Sequence, residues 1–153
     1  MLSEILSEER ITLSLQAKNK IDTIKELLNT IPVSNKDTVL NKICDRENKM
    51  STGLGNNVAI PRYFGPEAME TAIAFGLSRT GIDFESLDGK PAKIFFFVAS
   101  PDKDKYVAIL SRLIRFLNDE SFREALLNID GKKDVIEIIK RKENEIMYSA
   151  NQG

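Results

Sequence analysis

The chain has 153 residues, 22 basic and 23 acidic side chains, one cysteine and no histidine, which is the size of one domain with a substantial core. A charge balance this even gives no field for nucleic acid or a membrane surface, no apolar run approaches the roughly 18 residues of a membrane span, and the N-terminus lacks a signal-peptide pattern, so a cytoplasmic protein is expected. Without histidine or a cysteine cluster, zinc sites, Cys-His pairs and Ser-His-Asp triads are excluded, and the commonest general base near neutral pH is missing.

Ile11-Thr12-Leu13-Ser14-Leu15 alternates apolar and polar residues and predicts a half-buried first strand. Asn19 is placed to cap a helix with Ile21, Ile24, Leu27, Leu28 and Ile31 on one stripe, ended by Pro32. Ser34 or Asn35 opens a second helix that turns Val39, Leu40, Ile43 and Cys44 inward and ends near Lys49.

The stretch from Ser51 to Arg62 follows directly, with two hydroxyls, Gly53 and Gly55, the strand-like run Val58-Ala59-Ile60, and then Pro61. Alternate glycines permit positive φ and close backbone approach. Pro61 has no N–H for a ladder and is expected to end the strand. That would put Arg62 at a strand's C-terminal end, where open α/β sheets build their sites. The plainer alternative is a turn feeding an interior strand.

A loop over residues 63–67 precedes a strand around 71–77, and residues 80–90 form a connection with an Asp88-Gly89 turn. Residues 92–99 are the most apolar run and predict a central strand. Pro101 and Asp102 start a helix with Tyr106, Ile109, Leu110, Leu113, Ile114 and Leu117 on one face. A short helix over 121–128 packs Phe122, Ala125 and Leu126. A final amphipathic helix over 132–148 follows through Val135, Ile138, Ile139 and Ile146, and 149–153 is expected to be a loose tail. Strands interleaved with helices predict one α/β domain, a mixed, largely parallel sheet flanked by helices.

The ordered set Arg46-Glu47, Ser51-Thr52-Gly53-Leu54-Gly55 and Val58-Ala59-Ile60-Pro61 resembles the signature of type-2 enzyme IIA domains. These belong to the fructose, mannitol and nitrogen-regulatory branch of the phosphoenolpyruvate-dependent sugar phosphotransferase system. Gly81-Ile82-Asp83-Phe84, Leu87-Asp88-Gly89-Lys90-Pro91 and Ile94-Phe95-Phe96-Phe97-Val98 are similar to later segments of that family, so the resemblance covers nearly the whole chain. It implies an α/β sandwich whose chemistry is phosphoryl relay. A histidine directly after the Ala-Ile-Pro run accepts phosphate from a histidine-containing carrier protein. A second histidine opens the helix after the third segment, and an upstream arginine stabilises the phosphorylated state.

By that register the acceptor position is Arg62, the second histidine position is Tyr106, and the supporting arginine is kept as Arg46. Asn57 replaces a customary glycine. A guanidinium has no lone pair to offer, so the resemblance implies a non-catalytic regulatory or protein-binding module, free-standing like the nitrogen-regulatory form. The expected partner is a phosphotransferase-related carrier, kinase or transporter, with no cofactor and no metal. Its docking surface would take in Leu54, Ile60, Tyr63, Phe64 and Tyr106 around the two arginines, since Arg and Tyr often dominate interface energies.

Alternatives stay open at individual residues. Arg46 is either a cation on a helix C-terminus or part of an anion site. Ser51 and Thr52 either satisfy loop backbone groups or line the former phosphate pocket with Gly53, Gly55, Arg46 and Arg62, holding phosphate or sulfate. Tyr106 is either core or site. Two other functions compete, a phosphocarrier using Ser51, Thr52 or Tyr106 as acceptor and a small-molecule or anion sensor.

Overall fold

Residues Ile94 to Ala99 are completely shielded from solvent, which requires a strand covered on both faces and paired on both edges. They form the middle of β6 (Ala92–Ser100), as the unbroken apolar run predicts. The computed structural model describes residues 1–152.

On one edge β6 pairs antiparallel with β5 (Ala72–Ile82), and β5 pairs parallel with the short β1 (Ile11–Thr12). On the other edge it pairs parallel with two short strands in succession, β3 (Val58–Ala59) and β4 (Arg62–Phe64). β2 (Gly53–Gly55) closes that side antiparallel to β3. The sheet is mixed, with the parallel pairings in the majority and the long β5–β6 pair antiparallel.

Side-chain alternation along β6 builds two cores. Ile94, Phe96 and Val98 pack with Ile73, Phe75 and Leu77 on one face. That face is covered by α1 (Leu2–Ile5), α4 (Lys103–Leu117), α5 (Glu120–Leu127) and α6 (Lys132–Gln152). Phe95, Phe97 and Ala99 pack on the other face against Ile24, Leu27, Val39 and Ile43, from α2 (Lys20–Leu28) and α3 (Lys36–Lys49). Edge-to-face ring pairs fix both layers, Phe75–Phe96 at 5.2 Å and Phe84–Phe95 at 5.4 Å. Asn19, Asn35 and Asp102 cap α2, α3 and α4 through their side chains, satisfying otherwise orphaned N–H groups.

The structure departs from the sequence reading at several ends. β1 stops at Thr12, and beyond it Leu15 donates its backbone N–H to Leu77 O at 3.0 Å and packs its side chain against the core. β5 runs on to Ile82 through an irregularity, at Gly81 with φ 87°, where a Cβ would lie 2.7 Å from Pro91. Residues 80–82 are therefore strand rather than connection. On α4 Phe116 is buried and Ile114 is 37% exposed, because the helix sits between β6 and α5 and turns Phe116 onto Phe122. The expected loose tail continues α6 as far as Gln152; Gly153 lies outside the described residues. The N-terminal helix α1 was not expected at all, yet Leu2 and Leu6 enter the core.

Candidate functional site

Pro61 breaks the ladder as expected, but pairing resumes immediately. Arg62 is the first residue of β4 rather than the last of a strand, and the expected loop over 63–67 begins as strand. The register Arg62↔Val98, Tyr63↔Ala99, Phe64↔Ser100 then decides where each side chain goes. Arg62 and Phe64 share the face of Val98. Tyr63 turns to the opposite face and is buried, where its hydroxyl donates to Glu67 and Lys42 Nζ lies 6.0 Å from its ring. Burial, reinforced by Glu67, pushes the Tyr63 phenol up to about 12. Tyr63 and the fully buried Ile60 thus drop out of the expected docking surface.

Ser100 leads through Asp102 into α4, so strand β4 ends beside the first turn of that helix. The Phe64 and Tyr106 rings meet at 5.6 Å with a 60° tilt, and Phe64 remains 41% exposed. Tyr106 is half-buried, its ring partly against the core and partly on Phe64. Leu54 on β2 is 40% exposed.

Arg62 is half-buried, and its Nε donates to Ile60 O at 2.9 Å. Burial lowers the proton affinity of its guanidinium below the ordinary value. Tyr106 and Glu47 act against that shift and Arg46 acts with it. Helix α3, which carries Arg46, packs on β4. Among the described residues neither arginine makes an ion pair.

The glycine loop is not an open anion cradle. Glu47 is buried at the end of α3; its carboxylate accepts from Thr52 N–H at 3.0 Å and from the Thr52 hydroxyl, and pairs with Lys20 Nζ at 2.8 Å. Ser51 Oγ donates to Phe84 O and accepts from Gly53 N–H at 3.0 Å. Gly53 is required because a Cβ there would come 2.3 Å from Ser86 Oγ. Gly55, Asn56 and Asn57 all have positive φ, and Asn56 N–H donates to Asp88 at 2.9 Å. The Ser51 and Thr52 hydroxyls and the Thr52, Gly53 and Asn56 N–H groups thus already have internal acceptors.

Asn57 adopts φ 65°, a conformation asparagine tolerates better than most, and its side chain donates to Pro91 O at 2.8 Å. Lys20 was not singled out by sequence reasoning, and the roles of Glu47 and Asp88 as the carboxylates that fix this loop were not foreseen from the motifs that contain them.

The family model described as "Phosphoenolpyruvate-dependent sugar phosphotransferase system, EIIA 2" matches residues 4–142. A fructose-specific EIIA component of Haloferax volcanii is 32% identical over 144 residues, covering 90% of this chain and 94% of that protein. A fructose-specific EIIABC component of Bacillus subtilis is 32% identical over 92% of this chain, which spans only 23% of that longer protein. Nitrogen regulatory protein IIA-Ntr from Neisseria meningitidis superposes with a TM-score of 0.82 at 26% identity, covering 89% of this chain and 97% of its own. Mannitol enzyme IIA of Escherichia coli, solved in complex with phosphorylated enzyme IIB, has the same fold, with a TM-score of 0.73 at 22% identity over 88% of this chain and 96% of that one.

Proposed function

This chain belongs to the EIIA 2 family of the phosphoenolpyruvate-dependent sugar phosphotransferase system, and from that premise we propose that it is a non-transferring member, retained as a cytoplasmic regulatory, protein-binding module. One observation carries the reading: the sequence has no histidine, and the residue after Ala59-Ile60-Pro61 is arginine. A guanidinium stays protonated and offers no nucleophilic nitrogen. Arg62 therefore replaces phosphoryl acceptance with a fixed cation, while Tyr106 fills the second histidine position.

The docking face that remains consists of Arg62, Phe64 and Tyr106, with Arg46 on the helix packed against β4 and Leu54 exposed on β2. A IIB domain is the partner class suggested by the mannitol relative, which was solved in complex with one. The test is a titration of isotope-labelled protein with an unphosphorylated IIB domain or the general histidine-containing carrier. Amide shifts confined to Arg46, Leu54, residues 62–64 and the start of α4, and lost in Phe64→Ala, are expected. Shifts elsewhere, or none with either partner, contradict the proposal.

A phosphocarrier with another acceptor is the second reading. The Ser51 and Thr52 hydroxyls are committed inside the protein, which leaves the Tyr106 hydroxyl as its candidate. A small-molecule sensor is supported less: a cavity of about 420 Å³ between α4 and α6 is lined by Arg112, Arg115, Phe116 and Glu143 and includes neither Arg46 nor Arg62.

A further inference from the structure

Helix α6 packs mainly on α1 and α5, and a cavity of about 420 Å³ remains between it and α4. That size falls within the roughly 300–1,000 Å³ of small-molecule sites. The sequence explains the gap. Ala108, Ser111, Arg112 and Arg115 recur at helical spacing along one stripe of α4. The small side chains of the first two leave space that a larger residue would fill.

Much of the lining is apolar. Ile146 and Met147 face the cavity from α6, and the buried Phe116 lines it from α4. Its charged members are two arginines against one carboxylate. Glu143 is buried, and its two oxygens already accept the Leu2 N–H at 2.8 Å and the Ser3 N–H at 3.1 Å. Arg112 approaches Glu143 only at 3.7 Å, beyond hydrogen-bond reach, so that ion pair leaves its guanidinium donors available. Arg115 makes no ion pair among the described residues.

This balance selects the occupant. One positive charge is left over, which suits a monoanion, and the apolar walls reward a hydrocarbon body. A bare anion uses only the arginines, and a neutral hydrocarbon only the walls. The planar guanidinium fork matches a carboxylate.

We propose that the cavity between α4 and α6 binds a linear apolar chain ending in one carboxylate, a ligand of fatty-acid chemistry. The carboxylate lies on Arg115 and Arg112, and the chain runs against Phe116, Ile146 and Met147. None of the lining residues belongs to the docking face of Arg62, Phe64 and Tyr106. The site therefore stands whether or not the chain transfers phosphate.

The test titrates decanoate into isotope-labelled protein and follows backbone amides, with acetate and decanol as the two half-ligands. Saturable shifts confined to residues 108–116 and 143–147 are expected. Decanoate should bind about tenfold or more tighter than decanol, the size of a charge-assisted hydrogen bond, and acetate should leave these amides unmoved at the same concentrations. Hexanoate should bind at least about tenfold more weakly than decanoate, since it buries four fewer methylenes. Arg115→Gln, at an exposed position, should erase the advantage of decanoate over decanol. Ser111→Trp, also exposed, should fill the cavity and block both. Equal affinity for decanoate and decanol, equal response to acetate, indifference to both variants, shifts elsewhere or no shifts would each overturn the proposal. So would shifts that follow protein concentration instead of decanoate, which would assign the groove to a second copy of the chain.

Discussion

Phe64, at the end of β4, lies against Tyr106 in the first turn of α4 with ring centroids 5.6 Å apart. The contact ties the strand carrying Arg62 to the helix that follows the central strand, and it does so at the surface. Tilted aromatic pairs contribute about 0.5–1.5 kcal/mol. Phe64→Ala is expected to lower unfolding free energy by about 1 kcal/mol in urea while abolishing the partner-induced shifts. A loss of several kcal/mol would make the ring a core element rather than a docking one.

A second prediction concerns β6. Phe96 is fully buried and meets Phe75 at 5.2 Å. Truncation to alanine removes the ring from both partners and leaves a cavity, so Phe96→Ala should cost about 3–5 kcal/mol. A shift of a few tenths in denaturant would contradict the central placement of this strand.

The buried pair Lys20–Glu47, at 2.8 Å, connects α2 to the end of α3 and, through Thr52, to the glycine loop. Removing Glu47 leaves the largely shielded Lys20 Nζ with only the exposed Glu85 carboxylate, at 4.0 Å, and takes the acceptor from Thr52, so Glu47→Ala is expected to cost about 3 kcal/mol. The double variant Lys20→Met, Glu47→Leu should be less destabilised than Glu47→Ala alone, because both charges leave together. Simple additivity in the mutant cycle would show that the two residues act independently.

Asp88 supplies the pH dependence of the loop. Backbone N–H groups of Asn56 and Lys90 hold its carboxyl below the usual carboxylate range. A depressed folded-state value means the interaction is fully present above the unfolded value, near 3.9, and is lost as pH falls through the lower folded value. Hydrogen-exchange protection at Asn56 should hold from neutral pH down to about 4 and collapse below it. In Asp88→Ala, protection should be low throughout. A protection factor that changes near neutrality would assign control of the loop to another group.

Much of this fold could be read from the chain because its signals are local. The unbroken apolar run of β6, the Asn19, Asn35 and Asp102 caps and the Asp88-Gly89 turn each state their conformation within a few residues. Tertiary contacts decided the rest. Tyr63 looked like a docking residue by proximity to Arg62, but a two-residue period sends neighbours to opposite faces, and the resumption of pairing after Pro61 set which face. Ser51 and Thr52 looked available because their acceptors, Phe84 O and Glu47, are set by packing of α3 and the 84–90 segment. The contact of α3 with β4, which brings the helix carrying Arg46 to the strand carrying Arg62, is set by tertiary packing; neither periodicity nor spacing places a helix end beside that strand.

The most direct measurement is intact mass after incubation with phosphoenolpyruvate, the general phosphotransferase enzymes and the histidine-containing carrier. A protein without histidine, with Arg62 after its Ala-Ile-Pro run, is predicted to show no added phosphate, and Arg62→His alone should recover little, since Tyr106 still fills the second position. A stoichiometric phosphate adduct on the unaltered chain, whether on Tyr106, Ser51, Thr52 or elsewhere, would contradict the account.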